Sequence, residues 1–319
     1  MDNIRLTSYD EVAEILKTID NVTILTHKSP DGDCIGAGMG LCFYLRSLGK
    51  KANVLNSDGF PERFDFMTEG YEPQDFEEQF VISVDISDTT LLGDELESYS
   101  DKIDLCIDHH GSNRFYAKKT YVDPEASAAC LIIFEILEHI GAEISLPIAT
   151  NLYTGLATDT GCFKFQNTTP EAHIAAAKLM RLGVDFEHIN RKMFDIKSRG
   201  RVMCEQRLIN DMRFFEDGQV AFLTVLNQHI NEFQLDRSEL DAFANIPLTI
   251  EGVRFAYTLK QQEENPEEFK VSLRTTDADA AAICGEFGGG GHLRASGCTI
   301  EGKAREVMAK ILDVTRKYL

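Results

Sequence analysis

The sequence predicts an α/β protein of two domains, in which a parallel sheet with helices on both faces is followed by a smaller α/β domain. Three observations lead to this fold class. Apolar runs of strand length alternate with segments of helical length, a pattern typical of parallel sheets. Several of the helical segments end at a glycine: Gly49, Gly141 and Gly183. A chain of 319 residues also fits two domains at roughly 100–200 residues each.

The first domain is predicted from short apolar runs and the helical segments between them. The predicted strands are 21–26, 51–55, 80–84 and 103–107. The predicted helices are 35–48, 127–140, 148–156 and 171–182.

The pattern changes near residue 187 to a helical, locally basic segment, which we interpret as a connector. Beyond it, strands are predicted at 220–225, 254–259 and 269–274, and a helix at about 304–318. We therefore divide the chain into a domain at 1–187, a helical linker at 188–212 and a second domain at 213–319.

Composition limits the environment and the partners. The start of the chain lacks a secretory signal, and no stretch approaches the roughly 20 apolar residues of a membrane span, so we expect a cytoplasmic protein with no membrane partner. The eight scattered cysteines are expected to be reduced and mostly structural. A net charge of -20 opposes binding along long duplex nucleic acid and favours a small phosphorylated substrate. The apolar helices of the first domain leave room for a homodimer.

Metal-ligand residues follow three predicted strands, where the ends of parallel strands converge on one edge of a sheet. A fourth carboxylate, Asp159, follows a predicted helix. The four aspartates among the candidate ligands sum to -4, which two divalent cations would cancel. Oxygen and imidazole ligands are typical of Mn²⁺ or Mg²⁺ sites, whereas thiolate-rich ligand sets are typical of zinc. The alternative for the first cluster is an Asp-Gly turn with a capping aspartate. The candidate ligands are His27, Asp31, Asp33, Asp85, His109 and Asp159.

The adjacent His109 and His110 cannot both face one point without a special turn, so different roles are expected. One would ligate metal while the other faces substrate. Asp108 is a natural partner for the second ring nitrogen of a metal-bound histidine. The alternative is that both histidines are satisfied within the fold.

The second domain contains a glycine run at 288–291 followed by His292 and Arg294. Consecutive glycines let backbone N–H groups approach an anion, and these two side chains add donors. Arg274, at the end of a predicted strand, could pair with a phosphate through two hydrogen bonds. The plainer interpretations are a flexible loop and a surface arginine.

Together these motifs resemble the DHH phosphoesterase superfamily, in the branch that carries a DHH-associated C-terminal domain, with the layout of its nano-RNase and pAp-phosphatase group. The resemblance covers nearly the whole chain, from His27 to the Gly288–Gly297 segment. It implies that His27 and Asp31 bind one metal, that Asp33, His109 and Asp159 bind the other, and that Asp85 bridges both. It further implies that His110 faces the substrate phosphate. In the second domain it assigns substrate binding to Arg274, Gly290, Gly291, His292, Arg294 and Ser296.

The resemblance implies a two-metal phosphodiesterase and phosphatase, with Mn²⁺ expected ahead of Mg²⁺. Its substrates would be short RNA oligonucleotides, cut to mononucleotides, and 3′-phosphoadenosine 5′-phosphate (pAp), dephosphorylated to AMP. A second hypothesis is a phosphodiesterase for cyclic dinucleotides or their linear products. A third, of another class, is a nucleotide-binding regulator without catalysis.

Overall fold

The computed structural model describes residues 7–291 and 293–319. The chain divides into two compact units, Met1–Ile196 and Lys197–Leu319, each built around one sheet. The first sheet has five strands, all parallel, and the second has six strands of mixed direction. This confirms the predicted fold class. The domain boundaries at 187 and 213 stay a prediction.

The first unit alternates strands and helices before ending in a run of helices. Its sheet has the order β2-β1-β3-β4-β5. Short 3-10 helices lie at Glu62–Met67, Thr89–Leu92 and Asp94–Tyr99. In chain order the main elements are α1 (Tyr9–Thr18), β1 (Val22–Leu25), α2 (Gly32–Ser47), β2 (Ala52–Leu55), β3 (Phe80–Val84), β4 (Leu105–Asp108), β5 (Lys119–Val122), α3 (Ala129–Ile140), α4 (Leu146–Asp159), α5 (Pro170–Arg181) and α6 (Phe186–Asn190).

Both faces of the parallel sheet are covered. Successive strand residues point to opposite faces, and they pack into two different hydrophobic cores. Ile24 and Ile82 belong to a large core shared with the α-helices. Their neighbours Leu25 and Val81 belong to a smaller core that includes Leu92, from one of the 3-10 helices. Strands β1 and β3 are therefore buried on both faces of the sheet.

Helix α2 begins at Gly32, three residues before the predicted start. The carboxylate of Asp31 caps it, since Oδ1 accepts hydrogen bonds from the backbone N–H groups of Asp33 and Cys34, each at 3.0 Å. This early start places Asp31, Asp33 and Cys34 in or beside the first turn, next to the end of β1.

The second unit builds a mixed sheet of order β10-β11-β9-β8-β7-β6. Strands β7 and β8 are parallel and the other neighbours are antiparallel. In chain order its elements are α7 (Arg199–Asn210), β6 (Arg213–Phe215), β7 (Val220–Val225), α8 (Asn227–Phe233), β8 (Phe255–Gln261), β9 (Glu268–Thr275), α9 (Ala280–Gly285), β10 (Gly290–Gly291), β11 (Ala295–Glu301) and α10 (Ala304–Thr315).

Within residues 7–291 and 293–319, no helix combines the length and the apolar character that crossing a membrane requires.

Candidate active site

His27 lies just after β1 and turns one ring nitrogen toward two carboxylates. Its Nδ1 is 2.8 Å from the carbonyl oxygen of Lys28, to which a protonated Nδ1 donates. Its Nε2 lies 3.7 Å from Oδ1 of Asp31 and 3.6 Å from Oδ2 of Asp85. Burial alone would lower the pKa of His27, but the neighbouring carboxylates of Asp31 and Asp85 raise that pKa far above its usual value. The ring therefore faces an excess of negative charge.

Asp33 is buried and fixed at the start of α3. Its Oδ2 accepts a hydrogen bond from the N–H of Ala129 at 2.6 Å, and its Oδ1 accepts one from the N–H of Cys130 at 2.9 Å. A carboxylate at a helix N-terminus is normally stabilised in its charged form. Burial and the charges of Asp85 and Asp159 nevertheless raise the pKa of Asp33 well above its usual value. Asp33 is therefore harder to ionise than an exposed carboxylate, and a nearby positive charge would favour its charged form.

Asp85 follows β3 in a left-handed backbone conformation, with φ at 58°. Its backbone N–H donates to the carbonyl of Ile107 on the neighbouring strand, at 3.0 Å, which fixes the turn. The side chain is 3% exposed, and among the described residues its Oδ1 accepts no hydrogen bond. The ring nitrogens nearest to Oδ1 are His109 Nε2 at 3.4 Å and His110 Nδ1 at 3.6 Å. A buried carboxylate oxygen that accepts no hydrogen bond is well suited to bind a metal ion.

Asp108 ends β4 and holds the ring of His110. Its Oδ1 lies 2.8 Å from His110 Nδ1 and also accepts the backbone N–H of His109 at 2.8 Å. The amide of Asn113, itself buried, donates to Oδ2 of Asp108 at 2.6 Å. The bond to Asp108 raises the pKa of His110. Because Nδ1 is engaged, Nε2 is the ring atom of His110 available to another group.

His109 uses its two nitrogens differently. Its Nδ1 lies 3.3 Å from the carbonyl oxygen of Ala126. Its Nε2 faces Asp85 Oδ1 at 3.4 Å, Asp33 Oδ2 at 3.8 Å and Asp159 Oδ2 at 3.9 Å. Burial opposes protonation, but the nearby carboxylate of Asp85 and the charges of Asp33 and Asp159 raise the pKa of His109 to about 10.

Asp159, the last residue of α4, reaches the same cluster from the helical layer. The amide of Asn167 donates to its Oδ2 at 3.2 Å. Burial raises the pKa of Asp159 to about 6; the positive charge of His109 opposes this rise and the charge of Asp85 adds to it.

The donor atoms fit divalent cations. Three groups have donor atoms that all lie within 4.8 Å of one another, and they are His27 with Asp31 and Cys34, Asp33 with His109 and Asp159, and Asp85 with His109 and His110. Most of the donors are carboxylate oxygens and imidazole nitrogens, which Mn²⁺ and Mg²⁺ accept. A bound cation would lower the raised pKa values of Asp33 and Asp159 and would give the unbonded Oδ1 of Asp85 a partner.

In the second unit, Gly290 and Gly291 form strand β10 and pair with Gly297 and Ser296 of β11. Gly291 has φ at 149°, and a Cβ there would lie 2.7 Å from the carbonyl oxygen of Ala295, so only glycine fits. Ser296 is buried. His292 lies outside the described residues.

The two candidate arginines of the second unit lie close to this strand pair but contact different groups. Arg274 lies opposite Ala295 across β9 and β11, and its Nη1 donates to the carbonyl of Leu273 at 3.2 Å. Arg294 donates through Nη1 to the carbonyl of Ala278 at 2.8 Å, so it braces the segment before α9. The structure thus brings Arg274, Ser296, Gly290 and Gly291 to one end of the second sheet.

Three residues of the first site were not predicted as part of it: Asn113, Asn167 and Cys34. The two asparagines lie in loops, where asparagine is common. The sequence around them therefore gave no indication of a contact with Asp108 or Asp159. Cys34 was recognisable, because it directly follows the Asp31-Gly32-Asp33 motif.

Comparisons with known proteins decide the family. Residues 21–156 match the model described as the DHH family, N-terminal domain, and residues 217–319 match the DHHA1 domain. The bifunctional oligoribonuclease and PAP phosphatase NrnA of Thermus thermophilus is 31% identical, over 97% of this chain and 93% of its own. The chain belongs to the DHH family. The predicted resemblance is therefore confirmed, and this DHH-family chain is a phosphoesterase, a hydrolase.

Two further relatives of this DHH-family chain match over most of its length. NrnA of Bacillus subtilis is 25% identical over 90% of this chain and 92% of its own. The crystal structure of an exopolyphosphatase-related protein from Bacteroides fragilis superimposes with a TM-score of 0.88 at 26% identity, covering 97% of this chain and 96% of that one. Each of these relatives therefore matches both domains of this chain within one chain of similar length.

Proposed function

We propose that this phosphoesterase hydrolyses short oligoribonucleotides to mononucleotides and also dephosphorylates pAp to AMP. The observation that carries the chemistry is the convergence of four carboxylates, the buried Asp85 among them, with the imidazoles of His27 and His109. The substrate class is supported by the similarity to the NrnA relatives, bifunctional oligoribonucleases and PAP phosphatases that match this chain across both domains.

We propose that His27, Asp31 and Asp85 hold one divalent cation, and that Asp33, Asp85, His109 and Asp159 hold a second one. Mn²⁺ is expected ahead of Mg²⁺. Bound in this way, a pair of divalent cations supplies hydroxide from water at neutral pH and neutralises the charge that develops in phosphoryl transfer. Asp85 is the residue common to both halves of the ligand set.

His110 is proposed to act on the substrate directly. Asp108 accepts from its Nδ1 and favours the protonated ring, so Nε2 can donate a hydrogen bond to a phosphate oxygen. Such a donor, fixed before the reaction, stabilises charge as it develops on the phosphate. Asn113 donates a hydrogen bond to the other oxygen of Asp108, which limits rotation of the Asp108 carboxylate and therefore of the His110 ring.

The domain at 213–319 is proposed to bind the part of the substrate that is not cut. Arg274, Gly290, Gly291, His292 and Ser296 would contact a phosphate or a terminal nucleotide, and Arg294 would support this surface through Ala278. Binding by a few fixed contacts suits short RNA and small nucleotides. The net charge of -20 opposes binding along long nucleic acid, which relies on many contacts from Lys and Arg to phosphates.

The test is a substrate panel with purified protein and Mn²⁺. It should include dinucleotides, longer single-stranded RNA, duplex RNA, pAp and cyclic dinucleotides, with EDTA as the control. We expect rapid release of mononucleotides from the shortest RNAs, phosphate release from pAp and no turnover in EDTA. Turnover of cyclic dinucleotides alone would replace this function with the second hypothesis. Metal-dependent nucleotide binding without any turnover would favour the regulator.

A further inference from the structure

A cavity of about 320 Å³ lies in the second unit between strand β6 and helix α10. Arg213 and Phe215 line it from β6, where alternate residues point to the same face. The lining residues of α10 are three or four positions apart and so share one face of the helix. They are Arg305, Met308, Ala309 and Leu312. The volume lies within the range of small-molecule sites.

The less exposed part of the lining is apolar and supported by the core. Phe215 is half-buried, and its ring is nearly perpendicular to that of the buried Phe222, with the two centroids 5.7 Å apart. Met308 is half-buried and Leu312 is buried. Phe215 and Met308 both pack against the hydrophobic core of the second unit. These side chains offer a planar apolar ring a fixed surface to contact.

The two arginines of the cavity are exposed, and within the described part of the chain neither side chain forms an ion pair or a hydrogen bond. Arg316, at the end of the same helix, differs from them: its guanidinium lies 2.9 Å from Glu216 and 3.1 Å from Asp313. Guanidinium groups bind phosphate oxygens through paired N–H donors. Arg213 and Arg305 therefore give the cavity two anion-binding groups that no described carboxylate occupies.

This cavity is separate from the glycine-rich strand pair of the same unit. Strand β6 forms one edge of the second sheet and β10 forms the other. With neighbouring strands about 4.8 Å apart, the two edges of a six-stranded sheet lie roughly 24 Å apart. A small ligand bound beside β6 would therefore not contact Gly290 or Gly291.

We propose that this cavity is a second nucleotide site, which binds a nucleoside monophosphate apart from the proposed substrate-binding residues. Arg213 and Arg305 bind the phosphate monoester, whose negative charge they match, and the base packs against Phe215 and Met308. The choice of ligand rests on the proposed function, because nucleoside monophosphates are the products of that reaction.

Equilibrium dialysis of the full-length protein with labelled AMP tests this site. EDTA is present, so that metal-dependent binding is absent. Arg213→Ala and Arg305→Ala should each weaken AMP binding by roughly 10- to 100-fold, since each removes a charged hydrogen bond. Arg316→Ala is the matched control, because it removes the same charge from the end of the same helix, and it should keep the wild-type affinity. Adenosine and inorganic phosphate should each bind at least roughly 10-fold more weakly than AMP.

Photolabelling of the wild type with 8-azido-AMP gives a second readout that needs no variant. We expect the label on peptides from β6 or α10. Label confined to the Gly288–Gly297 segment, unchanged AMP affinity in both Arg213→Ala and Arg305→Ala, or phosphate binding as tight as that of AMP would overturn the inference.

The same experiments separate this inference from the proposed function. A protein that is labelled at β6 or α10 but cleaves no nucleotide would contradict the proposed function and leave the second site standing. A protein that cleaves dinucleotides but is not labelled there would overturn the second site alone.

Discussion

At the scale of single residues, the candidate site is a compact cluster of carboxylates and imidazoles. Asp33 and Asp85 are 1% and 3% exposed, and Oδ2 of Asp159 lies 3.9 Å from Nε2 of His109. The carboxylates beside His27 and His109 raise the pKa of each of these histidines. The groups are therefore electrostatically coupled, and a bound divalent cation would change the pKa of each.

Asp85→Asn tests the shared ligand. Asparagine has the same shape and tolerates the left-handed backbone that Asp85 adopts, so the fold should be kept. We expect kcat/KM for a dinucleotide with Mn²⁺ to fall by roughly 100-fold or more, because both halves of the site lose a charged oxygen ligand. In EDTA the circular dichroism spectrum should match that of the wild type, because the fold is kept. Activity near that of the wild type would refute the role given to Asp85.

The pKa shifts predict how the stability of the metal-free protein depends on pH. The pKa of Asp159 is raised from 3.8 to about 6 and that of His109 from 6.5 to about 10, so the folded state binds protons more tightly than the unfolded state. The stability that these groups contribute is therefore lost as pH rises, from about 4 to 6 for Asp159 and from about 6.5 to 10 for His109. In EDTA the melting temperature should fall between about pH 5 and pH 8.

Adding Mn²⁺ should reverse this trend, because the metal competes with protons for the same ligands and stabilises only the folded chain. The rise in melting temperature on adding Mn²⁺ is expected to be larger at about pH 8 than at about pH 5. The variant Asp159→Asn should show a shallower decline between pH 5 and 6 in EDTA. A decline equal to that of the wild type would show that the loss of stability arises elsewhere.

At the scale of elements, the sequence was informative wherever a strand is apolar. Strands β1, β3 and β4 were predicted close to their observed bounds because each is a largely apolar run with nearly every residue buried. Strand β2 was also predicted, although its residues alternate between buried and half-buried. Strand β5, with the sequence Lys-Thr-Tyr-Val, was missed because it has one buried residue, and its pairing with β4 defines it. Strand β11 was missed because its small residues resemble a loop until β9 pairs with it.

The same limit applies to the site. That His27, Asp85 and Asp108 lie near one another follows from strand order, which alternating strands and helices predict. Which nitrogen of His109 faces the carboxylates depends on a contact with Ala126, seventeen residues away, and no local pattern reports it. The roles of the individual ligands stay predictions.

The contact between α2 and α4 allows a prediction at this scale. A Cβ on Gly36 would lie 2.5 Å from the backbone carbonyl oxygen of Asn151, which cannot move without shifting α4. Gly36→Ala should lower the free energy of unfolding by about 1–3 kcal/mol. A Cβ on Gly40, in the same helix, would instead meet the end of the Leu152 side chain at 2.9 Å, which can rotate away. Urea titration should therefore show a smaller loss for Gly40→Ala, and equal losses would mean that the backbone contact is not limiting.

At the scale of the whole molecule, we propose that the first unit carries the catalytic site and that the second unit binds substrate. The metal-ligand candidates all lie in the unit that ends at residue 196, and the glycine-rich strand pair and Arg274 lie in the other. Relatives such as NrnA of Thermus thermophilus match both parts in one chain. A change in the second unit should then alter substrate binding and leave metal binding intact.

Arg274→Ala tests this division. If Arg274 contacts a substrate phosphate, its loss removes a charged hydrogen bond of about 1.5–3 kcal/mol, so KM for a dinucleotide should rise by roughly 10- to 100-fold. Mn²⁺ affinity, measured by isothermal titration calorimetry without substrate, should not change. Lys270→Ala is the matched control, because Lys270 lies on the same strand and its side chain points to the same face as that of Arg274, four residues away. If both variants raise KM equally, the effect is one of general positive charge, and a loss of Mn²⁺ affinity in Arg274→Ala would contradict the separation of roles.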